Sequence, residues 1–383
     1  MTSAKFSMDL SGRTLGGRYL LEARIGRGGF ADVYRAVDTR VRKIVAVKVL
    51  HSDHTRNIKD VGRFINEAKI AGRIEHPHFV KVSDFFQDRE HFCFVMEYLQ
   101  GSTLRDVLRN LSGKPMSWPR AFKIALPICA GLAVAHSYNV VHRDIKPENI
   151  FLVRVRGGGK QVKLLDLGLA KVLRDHDWSE IQNGLSSTGD VIGSPLYIAP
   201  ELVRGDRACT TRVDIYSLGI VLFEMVAGRV PFRGNSAYET AYHHVHTEPV
   251  RPTMLIPGLQ VPTPLEDIIL RAISKDPEDR FQTIRELSLA IRHELEHQNI
   301  EWRPVRPARI VPAVQEVKLT DEPGPTEPRE ELLSLPTGQS DPASGIGSDP
   351  IAPREPTTVE HVEGTAGPGG LPMPGSQRRR SPA

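Results

Sequence analysis

The chain has 383 residues, 40% of them hydrophobic and 25% charged, with a net charge of +4. That is the balance of a soluble globular protein, long enough for one large domain or two ordinary ones, and it does not argue for nucleic acid as the main partner. The cysteines Cys93, Cys129 and Cys209 form no CxxC pair, which argues against a zinc site or a disulfide framework and suits a reducing cytosol.

Residues 1–14 read as a flexible N-terminus without the apolar core of a signal peptide. Tyr19 to Gly26 and Ala31 to Asp38 read as two strands joined by a glycine-rich turn, and Ile44 to Leu50 as a third. Asp60 to Arg73 has helical spacing, with Phe64, Ile65, Ala68 and Ala71 on one side. Phe92 to Tyr98 is another short apolar strand. Helical patterns follow at 103–110, 119–138, 213–227 and 264–297. The most apolar stretches, Ile124 to Ala135 and Ile215 to Ala227, are shorter than the roughly 20 residues of a membrane span. They read as core helices, so the expectation is a cytoplasmic chain with no transmembrane segment.

A β-rich part at about 15–99 followed by an α-rich part at about 100–297 predicts an α+β fold in two lobes with a ligand cleft between them. Residues 298–383 differ in composition, since from Ile300 onward lie about half of the chain's 29 prolines and few large apolar residues. Such a segment cannot bury enough apolar surface to offset its ordering entropy, which predicts a disordered tail.

Three motifs carry chemistry. The first is Gly26-Arg27-Gly28-Gly29-Phe30-Ala31-Asp32-Val33, between two strand patterns. Glycines there let backbone N–H groups approach phosphate oxygens. A strand rather than a helix follows, which excludes a dinucleotide fingerprint. The second is Val45-Ala46-Val47-Lys48, where strand alternation sends Lys48 to the face opposite Val47 and Val49. A buried lysine there needs a partner. The third is His142-Arg143-Asp144-Ile145-Lys146-Pro147-Glu148-Asn149, followed by Leu165-Asp166-Leu167-Gly168.

Together these motifs resemble the protein kinase signature set, and most closely the bacterial eukaryotic-type serine/threonine kinases. The resemblance spans about residues 15–297 and implies the bilobal kinase fold with ATP and Mg²⁺ as cofactors. It implies Asp144 as catalytic base, Lys146 and Lys48 as catalytic cations, and Asn149 and Asp166 as metal ligands. Glu67 matches the helix glutamate that pairs with Lys48. The nucleotide would lie against Ile25, Gly26, Arg27, Gly28, Gly29, Val33, Ala46, Met96, Glu97 and Leu99, with Met96 gating the pocket and Glu97, Tyr98 and Leu99 forming the hinge. Ser194 to Glu201 resembles the end of an activation segment. Ser186 and Thr188 occupy the spacing of a paired phosphosite, and a phosphate there could pair with Arg143. Glu201, Arg280 and Asp214 match structural residues.

The implied partners are protein substrates with Ser/Thr acceptors and the chain itself, through autophosphorylation and a transient dimer, with no nucleic acid. Ala31 and Leu167 depart from the family pattern, where glycine and phenylalanine are usual. A pseudokinase scaffold is the rival reading, disfavoured because Lys48, Glu67, Asp144, Asn149 and Asp166 are all present. A small-molecule kinase is disfavoured by the Ser194 to Glu201 segment.

Overall fold

The computed structural model describes residues 9–55, 57–155, 160–166, 195–206 and 210–302, all within the compact unit Met1–Leu319. Leu167, Ser186, Thr188, Ser194, Cys209 and everything beyond Trp302 lie outside the described residues.

The N-terminal lobe holds β1 (Thr14–Leu15), β2 (Tyr19–Arg27), β3 (Ala31–Asp38), β4 (Lys43–Leu50), α1 (Ser52–Thr55), α2 (Ile58–Arg73), β5 (Val82–Asp88) and β6 (His91–Glu97). Its strands form one antiparallel sheet in the order β1-β2-β3-β4-β6-β5. Both faces of the sheet are covered. Val45, Val47 and Val49 bury beside Leu21, Tyr34 and Val95, while Ala46 and Leu50 bury beside Phe64, Phe94 and Met96. The two-residue period therefore delivers Lys48 to the face that α2 covers. Helix α2 begins where the Asn57 side chain accepts the Lys59 N–H, and it buries Phe64, Glu67 and Ala68 at helical spacing. Strand β5 was not anticipated from sequence. It is the sheet edge and its Ser83, Asp84 and Gln87 interrupt any apolar run.

The second lobe follows β7 (Gly101–Thr103). It contains α3 (Leu104–Asn110), α4 (Trp118–Ser137), β8 (Ile150–Arg154), β9 (Lys160–Leu164), α5 (Pro200–Arg204), α6 (Arg212–Ala227), α7 (Ala237–His246), α8 (Pro252–Leu255), α9 (Thr263–Ala272) and α10 (Ile284–His297). Strands β7, β8 and β9 make a small sheet beneath the cleft. Every side chain of α6 from Val213 to Ala227 is buried, as expected of an apolar stretch that is hydrophobic all round. The helix ends at Gly228 with φ 74°, where a Cβ would stand 2.2 Å from the Gly113 carbonyl oxygen, so only glycine fits. Helix α4 is long and apolar enough to cross a membrane, but it packs against α6 and α10, with Phe122, Leu126, Ile128 and Leu132 fully buried.

The single helical pattern read over 264–297 is two helices. Pro277 cannot donate a backbone hydrogen bond, and a 3₁₀ turn at Pro277–Asp279 intervenes. The guanidinium of Arg280 takes the carbonyls of Ser274 and Lys275 that a continued helix would have used. Helices α7 and α8 also escaped the sequence reading, the former being rich in histidine and tyrosine rather than in aliphatic residues. Beyond α10, Ile300 and Trp302 pack on the core, with Arg292 stacked 4.6 Å from the Trp302 ring.

Candidate active site

Lys48 sits between Val33 and Phe94 in the strand register, 8% exposed. Its Nζ lies 2.9 Å from Glu67 Oε1 on α2 and 2.9 Å from Asp166 Oδ1 at the end of β9. One ammonium thus joins both lobes. Burial alone would lower the lysine pKa, but the two carboxylates outweigh it and hold Lys48 cationic. Burial pushes Glu67 up to about 7, helped by the Asp166 charge and opposed by Lys48. Asp166 is 40% exposed on its side chain, so one of the two carboxylates faces the cleft.

The loop below is built around Asp214, which is fully buried in the first turn of α6. One of its oxygens accepts the His142 N–H at 2.9 Å and meets His136 Nε2 at 2.7 Å, and the other accepts the Arg143 N–H at 2.8 Å. These bonds hold Arg143 at φ 62°, a left-handed conformation unusual for arginine. The chain turns sharply there and presents Asp144. Lys146 Nζ donates to Asp144 Oδ2 at 2.8 Å, and Asn149 Nδ2 donates to the same oxygen at 2.9 Å and to the Asp144 carbonyl at 2.8 Å. The Asn149 amide nitrogen is therefore committed, which fixes the orientation of its oxygen. Leu165 N–H donates to the Asn149 carbonyl at 2.9 Å, tying this turn to the strand end that carries Asp166. His142 is fully buried beside Phe79 with its pKa lowered by burial, a packing histidine.

Above the cleft, Val33, Ala46, Met96, Leu99 and Leu165 belong to one apolar cluster, and Ala46 and Met96 are paired across β4 and β6. This is an apolar slot of the kind that takes a flat ring. Ala31, the departure from glycine, is 4% exposed and packs into the same cluster, so its methyl group is accommodated rather than intruding. The turn is closed by Gly28 N–H donating to the Ala31 carbonyl at 3.0 Å. Gly26 and Arg27 end β2, and nothing lies within 4 Å of where a Gly29 Cβ would be. Ile25, in β2, is 49% exposed.

The carboxylate of Glu97 does not serve the slot. It accepts the Lys81 N–H at 2.8 Å and a bond from Lys163 Nζ at 2.5 Å, while its own N–H donates to Lys81 at 2.9 Å. Lys163, 3% exposed, also donates to the Phe79 carbonyl at 3.0 Å. Sequence reasoning passed over it, although a lysine inside the run Gln161-Val162-Lys163-Leu164 carries the same signal that marked Lys48. Away from the cleft, Arg280 grips Glu201 with two bonds of 2.7 and 2.8 Å, the buried structural pair anticipated from sequence. Cys93 and Cys129 are buried and their thiols are pushed up to about 12 by burial, in keeping with small hydrophobes.

Several known proteins are similar to this chain. A probable serine/threonine-protein kinase of Streptomyces coelicolor is 38% identical over 283 residues, covering 73% of this chain and 40% of the relative. The serine/threonine-protein kinase PrkC of Bacillus subtilis is 36% identical over 283 residues, 74% of this chain and 41% of PrkC. PknB of Mycobacterium tuberculosis is 36% identical over 277 residues, 71% of this chain and 42% of PknB. The chain thus spans about two fifths of the length of these relatives. Among solved structures, the M. tuberculosis PknI kinase domain superposes with a TM-score of 0.57 at 24% identity, covering 74% of this chain and 98% of that domain, a likeness of fold. The family described as protein kinase domain matches residues 19–295, which takes in the lysine strand, the Asp144 loop and the Arg280 turn alike. The chain belongs to the protein kinase family.

Proposed function

We propose that this chain is an ATP- and Mg²⁺-dependent serine/threonine protein kinase acting on Ser/Thr hydroxyls of proteins, its own included. The observation that carries the reading is Lys48, held at 2.9 Å from both Glu67 and Asp166 above the Asp144 loop. The relatives named serine/threonine-protein kinase support it.

In this reading the adenine lies in the slot of Val33, Ala46, Met96 and Leu99, and the glycine-rich turn from Gly26 to Gly29 lies over the phosphates. Lys48 neutralises phosphate charge, with Glu67 aiming the ammonium rather than touching the nucleotide. Asn149 and Asp166 offer the hard oxygen donors that suit Mg²⁺, a cation that keeps waters and phosphates among its ligands. When bound, Mg²⁺ supplies charge neutralisation at the phosphates. Asp144 orients the acceptor hydroxyl and holds its proton, and Lys146, 2.8 Å from it, balances charge on the transferring group. Arg143 Nε is buried with no hydrogen-bond partner among the described residues. It suits a phosphate on Ser186 or Thr188, whose positions lie outside the described residues. We place the protein in the cytoplasm, with residues beyond 302 as a tail.

The test is transfer of labelled phosphate from Mg-ATP to a protein acceptor by the full chain, followed by phosphoamino-acid analysis. Phosphoserine or phosphothreonine in the wild type and none with Asp144→Asn is the expected result. Nucleotide binding without transfer would favour the scaffold reading.

A further inference from the structure

The first turn of α2 and the connection before it carry a group of side chains that the mechanism above leaves unused. His54, in α1, has both ring nitrogens occupied. Nδ1 lies 2.8 Å from Asp60 Oδ2 on α2, and Nε2 lies 3.3 Å from the carbonyl oxygen of Gly29 at the tip of the glycine-rich loop. Its ring also packs on Phe30, centroids 4.6 Å apart. Asp60, only 9% exposed, is further held by Arg63 at 3.1 Å. One residue before α1, His51 N–H donates to the Phe30 carbonyl at 3.0 Å. The tip of a glycine loop lacks side chains to anchor it, so it ordinarily moves on its own. Here it is fastened to the helix that carries Glu67, and Glu67 in turn fastens Lys48.

We infer that His54 is a positioning residue that couples the glycine-rich loop to α2, so that loop closure and Lys48 placement occur together. This rests on the kinase reading above. Asp60 Oδ2 and the Gly29 carbonyl can only accept hydrogen bonds, so both contacts hold at once only when both ring nitrogens carry a proton. The charged and titratable groups around the ring are Asp60 and Arg63 on α2 and His51, whose ring centroid is 6.4 Å away and whose Nε2 pairs with Asp32 at 3.0 Å. Arg24 on β2 reaches the same Asp32 at 3.3 Å.

The experiment uses the full chain with Mg-ATP. His54→Ala should raise KM for ATP by roughly 3–10-fold, the size of one hydrogen bond, with a smaller change in kcat and none in KM for the protein acceptor. Asp60→Asn should do the same, and the double variant should be no worse than either single one. Nucleotide affinity measured by calorimetry should follow KM in all of them, so the coupling is tested even if no phosphate is transferred. Additive effects of the two substitutions, or unchanged nucleotide affinity in His54→Ala, would overturn the proposal while leaving the kinase reading intact.

Discussion

Among the buried ion pairs of this molecule, Lys48 with Glu67 in the sheet lobe and Arg280 with Glu201 in the helical lobe are built differently. Arg280 in the helical lobe uses its whole fork. Nε reaches the Ser274 carbonyl, one terminal nitrogen reaches Glu201 and Arg212, and the other reaches Glu201 and Lys275. The group is saturated, fully buried and stacked 4.7 Å from the Tyr216 ring. Lys48 in the sheet lobe is a compact ammonium shared between two carboxylates on different elements, one of them 40% exposed to the cleft. The contrast teaches that distance and burial do not separate a structural pair from a functional one. Saturation does: the pair with a charge left facing solvent has something still to bind.

The largest expected effect sharpens the contrast at the sheet lobe. Asp144→Asn should lower kcat by about 10²–10⁴, and Lys48→Met by about 10²–10³, each measured with labelled ATP. Neither should unfold the chain. Removing Lys48 leaves two acids side by side, and Glu67, already pushed up to about 7, takes a proton instead of remaining a stranded charge.

The helical lobe should respond in the opposite sense. Arg280→Met strands a carboxylate that is 6% exposed, so urea unfolding should show a loss of about 3–5 kcal/mol. Arg280→Lys is the finer probe. It keeps the charge but loses the fork, and should cost about 1.5–3 kcal/mol. Activity per folded molecule should be unchanged in both. A stable Arg280→Lys protein would show that charge alone, without the fork, holds this lobe.

The sequence made the sheet-lobe pair legible through local chemistry, and the pair of Arg280 with Glu201, 79 residues apart, only through the family resemblance. A lysine inside Val45-Ala46-Val47-Lys48 has to find a partner, and the turn from His142 to Asn149 is dense with groups that organise one another locally. Lys163 carried the same strand signal and was missed because its partners, Glu97 and the Phe79 carbonyl, are 66 and 84 residues away and none of the motifs read from the sequence contains it. The split of 264–297 was missed for a related reason. Pro277 was visible, but the carbonyls freed by the break are capped by Arg280, a residue whose recognised partner Glu201 is 79 residues distant. Edge strand β5 had no apolar run to read. His54 shows no period at all, since it acts through a loop carbonyl and an aspartate on the next helix.

The smallest effect separates stability from activity at one residue. Glu67 has its folded pKa raised from the ordinary value of 4.5 to about 7 by burial. The fold therefore binds an extra proton between those two values, and this group's contribution to stability rises as pH falls through that interval. Activity should move the other way, because protonating Glu67 releases its hold on Lys48. With a pKa of about 7, half of Glu67 is ionised at pH 7 and roughly a tenth at pH 6, so kcat/KM for ATP should fall by up to about fivefold between them. Saturating Mg²⁺ should shift that fall to lower pH, since a cation at Asp166 offsets the negative charge that raises Glu67. Glu67→Gln should be poorly active throughout and should lose the acid limb, and its thermal midpoint should lose the matching pH dependence. Rate and midpoint falling together on acidification in the wild type, or an acid limb that persists in Glu67→Gln, would show that this pair is as purely structural as Arg280 and Glu201.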